Sequence, residues 1–193
     1  AVPKTPSNCL FTRILSLTLS TFKTKNLSVV IPKISFAEIP FFDKLQDTNS
    51  KLTFEIEQKI WKIWSTHPIN NELTLMLLKG SKLAENQKLN EAVKLFSEVI
   101  EIDPYWAEAW NKRATVFFLL GEFQKSQNDI DEVLKLEKRH FGALAGQGLV
   151  NIHLKNYEKA ILSYKKAQKI YPAMKSPKVM IKEIEELIKK QSI

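Results

Sequence analysis

Cysteine is nearly absent from the 193-residue chain: Cys9 stands alone, which excludes an intrachain disulfide and a cysteine-cluster metal site. The three histidines, His67, His140 and His153, are scattered and lack metal-ligand spacing, so no metal and no cofactor is expected. Five glycines and eight prolines are too few for collagen-like or proline-rich low-complexity architecture. No HExxH, GxxxxGK[ST] or GxGxxG pattern occurs, and no catalytic constellation is visible, so no enzyme is expected. The apolar stretches 14–22 and 27–32 are far shorter than the roughly 18 residues that span a bilayer.

Acid is missing from one region only. Lys4, Arg13, Lys23, Lys25 and Lys33 precede the first carboxylate, Glu38, whereas residues 38–193 carry 24 bases against 21 acids. Most of the net charge of +8 therefore sits in a basic, Ser- and Thr-rich leader, residues 1–37, and a nucleic-acid partner is correspondingly less favoured. Such a leader reads as a targeting segment or a basic tail. Ser35-Phe36-Ala37 would suit a secretory cleavage, implying an exported protein, and the composition suits organelle import equally. Without cleavage the protein would be cytoplasmic. Residues 38–50 read as an extended linker whose Phe41 and Phe42 need burial or a partner.

What is present is periodic. Phe54, Ile56, Ile60, Ile63 and Trp64 recur mostly at three- and four-residue spacing and predict a helix over 51–66. Beyond it a longer period takes over, one in which whole supersecondary units recur. Phe96, Ile130 and Tyr164 are evenly spaced, and Gly80, Ala114 and Gly148 repeat the same interval, as do Ala92, Ser126 and Ala160. Pro104 and Pro172 lie two periods apart and stop the second helix of their units. Glycine inside a helix costs about 1 kcal/mol against alanine, so Gly80 and Gly148 imply a facing helix that approaches closely.

These residues resemble the tetratricopeptide repeat (TPR) family, a stack of helix–turn–helix units with Trp/Leu, Gly/Ala, Tyr, Ala, Phe/Tyr, Ala and Pro at fixed offsets. Three units match: 73–106 (Gly80, Ala92, Phe96, Pro104), 107–140 (Trp110, Ala114, Gly121, Phe123, Val133) and 141–174 (Leu144, Gly148, Tyr157, Ala160, Tyr164, Ala167, Pro172). Lys138 stands where unit two would have proline. Small bacterial and plant-organelle TPR proteins of unknown role carry stretches similar to 110–115 and 138–148. The resemblance implies an all-α, right-handed solenoid. Helix 51–66 would be an N-terminal cap or an extra half-unit, and the amphipathic 177–191 a capping helix, together making a domain over 51–193.

The resemblance also implies a concave groove, lined by the first helix of each unit, that binds a partner protein or peptide without catalysis, as an adaptor or assembly factor. The groove residues would be Ser81, Asn111, Lys112, Thr115, Ala145 and Leu149. The family's clamp for chaperone C-terminal carboxylates maps onto Leu77, Ser81, Lys112, Gly142 and Gly146, of which Lys112 alone is basic, so an apolar or helical peptide suits this surface better. Arg113 stands where the family has leucine and needs a carboxylate, with Asp129, Asp131 or Glu132 as candidates. Arg139 and His140, in the turn between units two and three, are candidates with Arg113 for an anion contact, or else cap helix ends. Two alternatives remain: a groove filled by the chain's own Phe41-Phe42 segment or C-terminal helix in a scaffold role, and a nucleic-acid-associated protein using Lys165, Lys166, Lys169 and the lysines that follow. The sequence leaves the oligomeric state open.

Overall fold

The computed structural model describes residues 41–47 and 50–191. The leader 1–37, with Cys9 and the cleavage candidate, lies outside the described residues. After a 3₁₀ turn at Phe42–Gln46 come α1 (Ser50–Trp64), α2 (Asn71–Glu85), α3 (Leu89–Ile102), α4 (Ala107–Leu119), α5 (Phe123–Leu136), α6 (Phe141–His153), α7 (Tyr157–Ile170) and α8 (Lys175–Gln191). No strand occurs among the described residues. The pairs α2/α3, α4/α5 and α6/α7 form three stacked units, and α8 closes the stack on α7.

The small residues act as their spacing predicts. A Cβ on Gly80 would lie 2.5 Å from the Phe96 ring, and one on Gly148 2.5 Å from the Tyr164 ring. In unit two the same contact is made differently: the Ser126 hydroxyl donates to the Ala114 carbonyl at 2.8 Å, and Ile130 replaces the aromatic ring. The turn inside each unit also repeats. Gln87, Gly121 and Lys155, each one period from the next, all adopt φ between 59° and 75°, a conformation natural only to the glycine.

Two expectations need correction. Residues 42–46 are no extended linker but a 3₁₀ turn with Phe42 and Leu45 buried, and the Gln46 amide donates to the Lys169 and Ile170 carbonyls at 3.0 Å. Nor is α1 a cap or a half-unit. It runs as a strap along the edge of the solenoid, over the turns that join one unit to the next. At its C-terminal end the Trp106 indole donates to the Trp64 carbonyl at 2.8 Å, filling one of the orphan acceptors of a helix end. In the same last turn, Trp64 stacks on His140 with centroids 3.9 Å apart, and Trp61 meets Phe141 edge-on. At the middle of the helix the Tyr171 hydroxyl donates to Glu57 at 3.1 Å. Ile56, Ile60 and Trp64, at i, i+4 and i+8, supply the buried stripe, and Phe54 and Ile63 face solvent. Fifteen residues at about 1.5 Å each reach about 22 Å, enough to cross two inter-unit steps.

Candidate functional site

A cleft of about 90 Å³ opens between the first helices of units two and three. One wall is Asn111, Ala114, Thr115 and Phe118 of α4, and the other is Gly142, Ala143, Gly146 and Leu149 of α6, with Ser126 and Ile130 of α5 as its floor. The register explains the space. At the floor position the flanking units carry Phe96 and Tyr164, which press on glycine, whereas Ile130 is shorter and Ala114 has its own methyl. Gly146 stays clear of the floor, since a Cβ there would still be 3.8 Å from Ile130. The lining is mostly apolar and small, which admits a backbone or a side chain rather than a hydrated charge.

Of the groove residues expected from sequence, Asn111, Thr115 and Leu149 line this cleft, and the others are elsewhere. Ser81, on α2, donates to the Leu77 carbonyl of its own helix. Ala145 is buried in the cluster with Ala160, Tyr164 and Ile184, against the second helix of its unit and α8. Lys112 turns toward the buried Glu108, its ammonium 3.2 Å from the carboxylate. Asn111 donates to Glu108 at 3.0 Å, so it presents a fixed rather than a free amide.

The three candidate anion contacts are all engaged within the protein. Arg113 makes two 2.8 Å hydrogen bonds to Asp129, a bidentate pair, and a third of 2.9 Å to the Ser97 hydroxyl of the preceding unit. Asp129 is thus the acceptor among the three carboxylates considered. Arg139 bonds Glu137 and lies 4.1 Å over the Phe42 ring. His140 is fully buried and caps α6: its Nδ1 accepts from the Ala143 amide at 3.0 Å, which places the proton on Nε2, 3.1 Å from Glu108. His140 therefore offers nothing to an external anion, in keeping with the capping alternative. Burial raises the Glu108 carboxyl, but the hydrogen bonds and charges of His140 and Lys112 outweigh it and hold the group below its ordinary range.

Neither of the chain's own segments expected as groove fillers lines the cleft. Phe42 is buried against Trp64, and α8 packs on α7. Trp61 of the strap packs on Gly142 of the cleft wall: a Cβ there would lie 2.5 Å from its ring, so the glycine is required by the strap. The signal sequence reasoning missed was the pair Trp106 and His140, one period apart in inter-unit turns and both buried under α1. Among the described residues no trio of His, Cys, Asp or Glu is placed to hold a metal, and no helix is long and apolar enough to cross a membrane.

Comparison with known proteins fits this geometry. The tetratricopeptide repeat family model matches residues 142–174, the third unit. A TPR repeat-containing protein of Rhizobium etli is 35% identical over 101 residues, covering 52% of this chain and 50% of that protein. Hsp70-Hsp90 organizing protein 1 of Glycine max is 30% identical over 94 residues, covering 49% of this chain and 16% of that protein. The chain thus spans at most half the length of these relatives. The first TPR domain of Spaghetti (RPAP3), solved with the HSP90 peptide SRMEEVD, superposes with a TM-score of 0.59 at 21% identity, over 60% of this chain and 92% of that one. With its helix–turn–helix unit built three times over between residues 73 and 174, the chain has the fold of a tetratricopeptide repeat solenoid, and its third unit matches the family model.

Proposed function

We propose that the protein is a non-catalytic adaptor that holds an apolar peptide segment of a partner protein in the cleft between α4 and α6. The observation that carries this reading is the floor at Ile130, where the repeat pattern sets an aromatic ring on either side and this unit leaves room. The TPR fold is a protein-interaction architecture, and a related domain was solved holding the acidic peptide SRMEEVD. The chemistry here differs from what an acidic tail requires. The clamp positions are Leu77, Ser81, Lys112, Gly142 and Gly146, and their one base is already neutralised by Glu108. An acidic C-terminus would lose its water and gain no cation. A short apolar segment would bury its side chains against Phe118, Ile130 and Leu149 and give its backbone to Asn111 and Thr115.

The test closes the cleft with the design of the neighbouring units. Ile130→Phe alone overfills the space beside the Ala114 methyl and should destabilise by about 1–3 kcal/mol. Ala114→Gly together with Ile130→Phe reproduces the glycine–ring contact of units one and three and should melt close to the parent. A displayed peptide library panned on the parent should yield apolar sequences, and the double variant should retain none of them. Retention by the folded double variant, or binding of SRMEEVD tighter than about 10 µM, would remove the reading.

A further inference from the structure

Among the described residues no helical pair stacks before unit one, so the docking face of its first helix is made but not used. In units two and three, positions 3, 7 and 10 counted from the start of the unit (107 and 141) dock on the unit before. Ala109 and Val116 are buried against Phe96 and Val99 of α3, and Ala143 and Val150 against Ile130 and Val133 of α5. Position 7 adds a polar staple. Arg113 joins Asp129 of its own unit to Ser97 of the unit before, and Gln147 joins Ser163 to Asp131 in the same register. On α2 these positions are Leu75, Lys79 and Lys82. Helix α2 packs on α3 and α4, and the strap runs over the inter-unit turns, so nothing among the described residues covers that side. Leu75 is 57% exposed and the adjoining Leu78 56%.

The pattern along this face identifies what fits it. From its N-terminal end it reads Glu72, then Leu75 and Leu78, then Lys79 and Lys82. That order is self-complementary under a twofold axis across the middle of the helix. Two antiparallel copies set Leu75 of one against Leu78 of the other and bring each Glu72 to the other copy's Lys82, which in its own helix has an exposed partner in Glu85 at 3.5 Å. A parallel arrangement would oppose like charges at both ends. We propose that the outer face of α2 is a homodimer interface, with a second copy of this chain seated where a preceding unit would dock. The face is distinct from the α4–α6 cleft, so dimerisation leaves two clefts open. One helix pair buries less than a standard interface, and the dimer is expected to be weak, with a dissociation constant on the order of tens of micromolar.

Sedimentation velocity of the full chain, from about 5 to about 500 µM, tests this by bracketing that constant. The parent should shift from monomer to dimer across that range. Leu75→Glu with Leu78→Glu should sediment as monomer throughout while keeping the parent's thermal melt, since both side chains already face water. Glu72→Lys and Lys82→Glu should each weaken the dimer about tenfold or more, and the two together should restore it. A parent that remains monomeric overturns the proposal. A dimer that survives the two glutamates overturns it equally, and a double charge swap that stays monomeric overturns the antiparallel register.

Discussion

The middle repeat and its two neighbours share one register and solve the same packing problem by different chemistry. Units one and three press an aromatic ring onto a glycine. Unit two has an alanine, an isoleucine and a serine hydrogen bond at those positions, and it concentrates the buried charges of the stack: Arg113 with Asp129, and Glu108 with His140 and Lys112. Apolar packing fills space and leaves nothing to bind. Hydrogen-bonded pairs fix side chains in direction and leave a void beside them. The cleft lies beside the repeat held together by polar contacts because that repeat is the one not packed to its floor.

Three changes would break or sharpen this contrast. The largest effect is expected at Arg113. Arg113→Met strands the buried Asp129 carboxylate and should cost about 3–5 kcal/mol, whereas Arg113→Met with Asp129→Leu should recover most of it. Urea denaturation of both variants measures the difference. Equal losses would mean that the charge pair adds more than apolar filling would. Next is Glu108→Gln, which weakens the contacts to His140 and Lys112 and should cost about 1–3 kcal/mol at pH 7. Its pH dependence has a definite sign. The Glu108 carboxyl titrates below its ordinary 4.5 in the folded protein, so its stabilisation is complete above that value and is lost as the pH falls through the lowered one. Melting curves from pH 7 to pH 3 should therefore fall less steeply for Glu108→Gln than for the parent. The smallest effect belongs to the turns inside the units. Gln87→Gly and Lys155→Gly give the flanking units the residue that Gly121 provides in the middle one, and each should change stability by no more than about 1 kcal/mol, toward higher Tm.

The stack was legible in the sequence because its packing repeats. Each of its contacts recurs once per unit, so Gly80, Phe96, Gly148 and Tyr164 identify themselves by register. The need of Arg113 for a carboxylate was legible too, from its place where the family has leucine, although the choice of Asp129 over Asp131 and Glu132 depended on helix rotation that spacing does not specify. The strap was not legible. Ile56, Ile60 and Trp64 announce a helix with one apolar face, but a single copy has no register to say which surface receives it. A helix-capping role for His140 was among the readings open in the sequence, but its burial was not, because that comes from α1, two whole repeats earlier in the chain. The cleft was half visible. The series Phe96, Ile130, Tyr164 was plain, and the space left by its smallest member was not drawn from it.

The strap also changes how the molecule should come apart. A repeat stack held only by neighbour contacts can fray from either end, one unit at a time. Here Glu57 in the middle of α1 is tied to Tyr171 across 114 residues, and Gln46 before it to the end of α7 across 123 and 124, while the C-terminal end of α1 is fixed at Trp106. The last repeat cannot loosen without releasing the segment that anchors the first. Contacts of such sequence separation slow folding, because the chain must close long loops before they form, and they couple the units into a single cooperative transition.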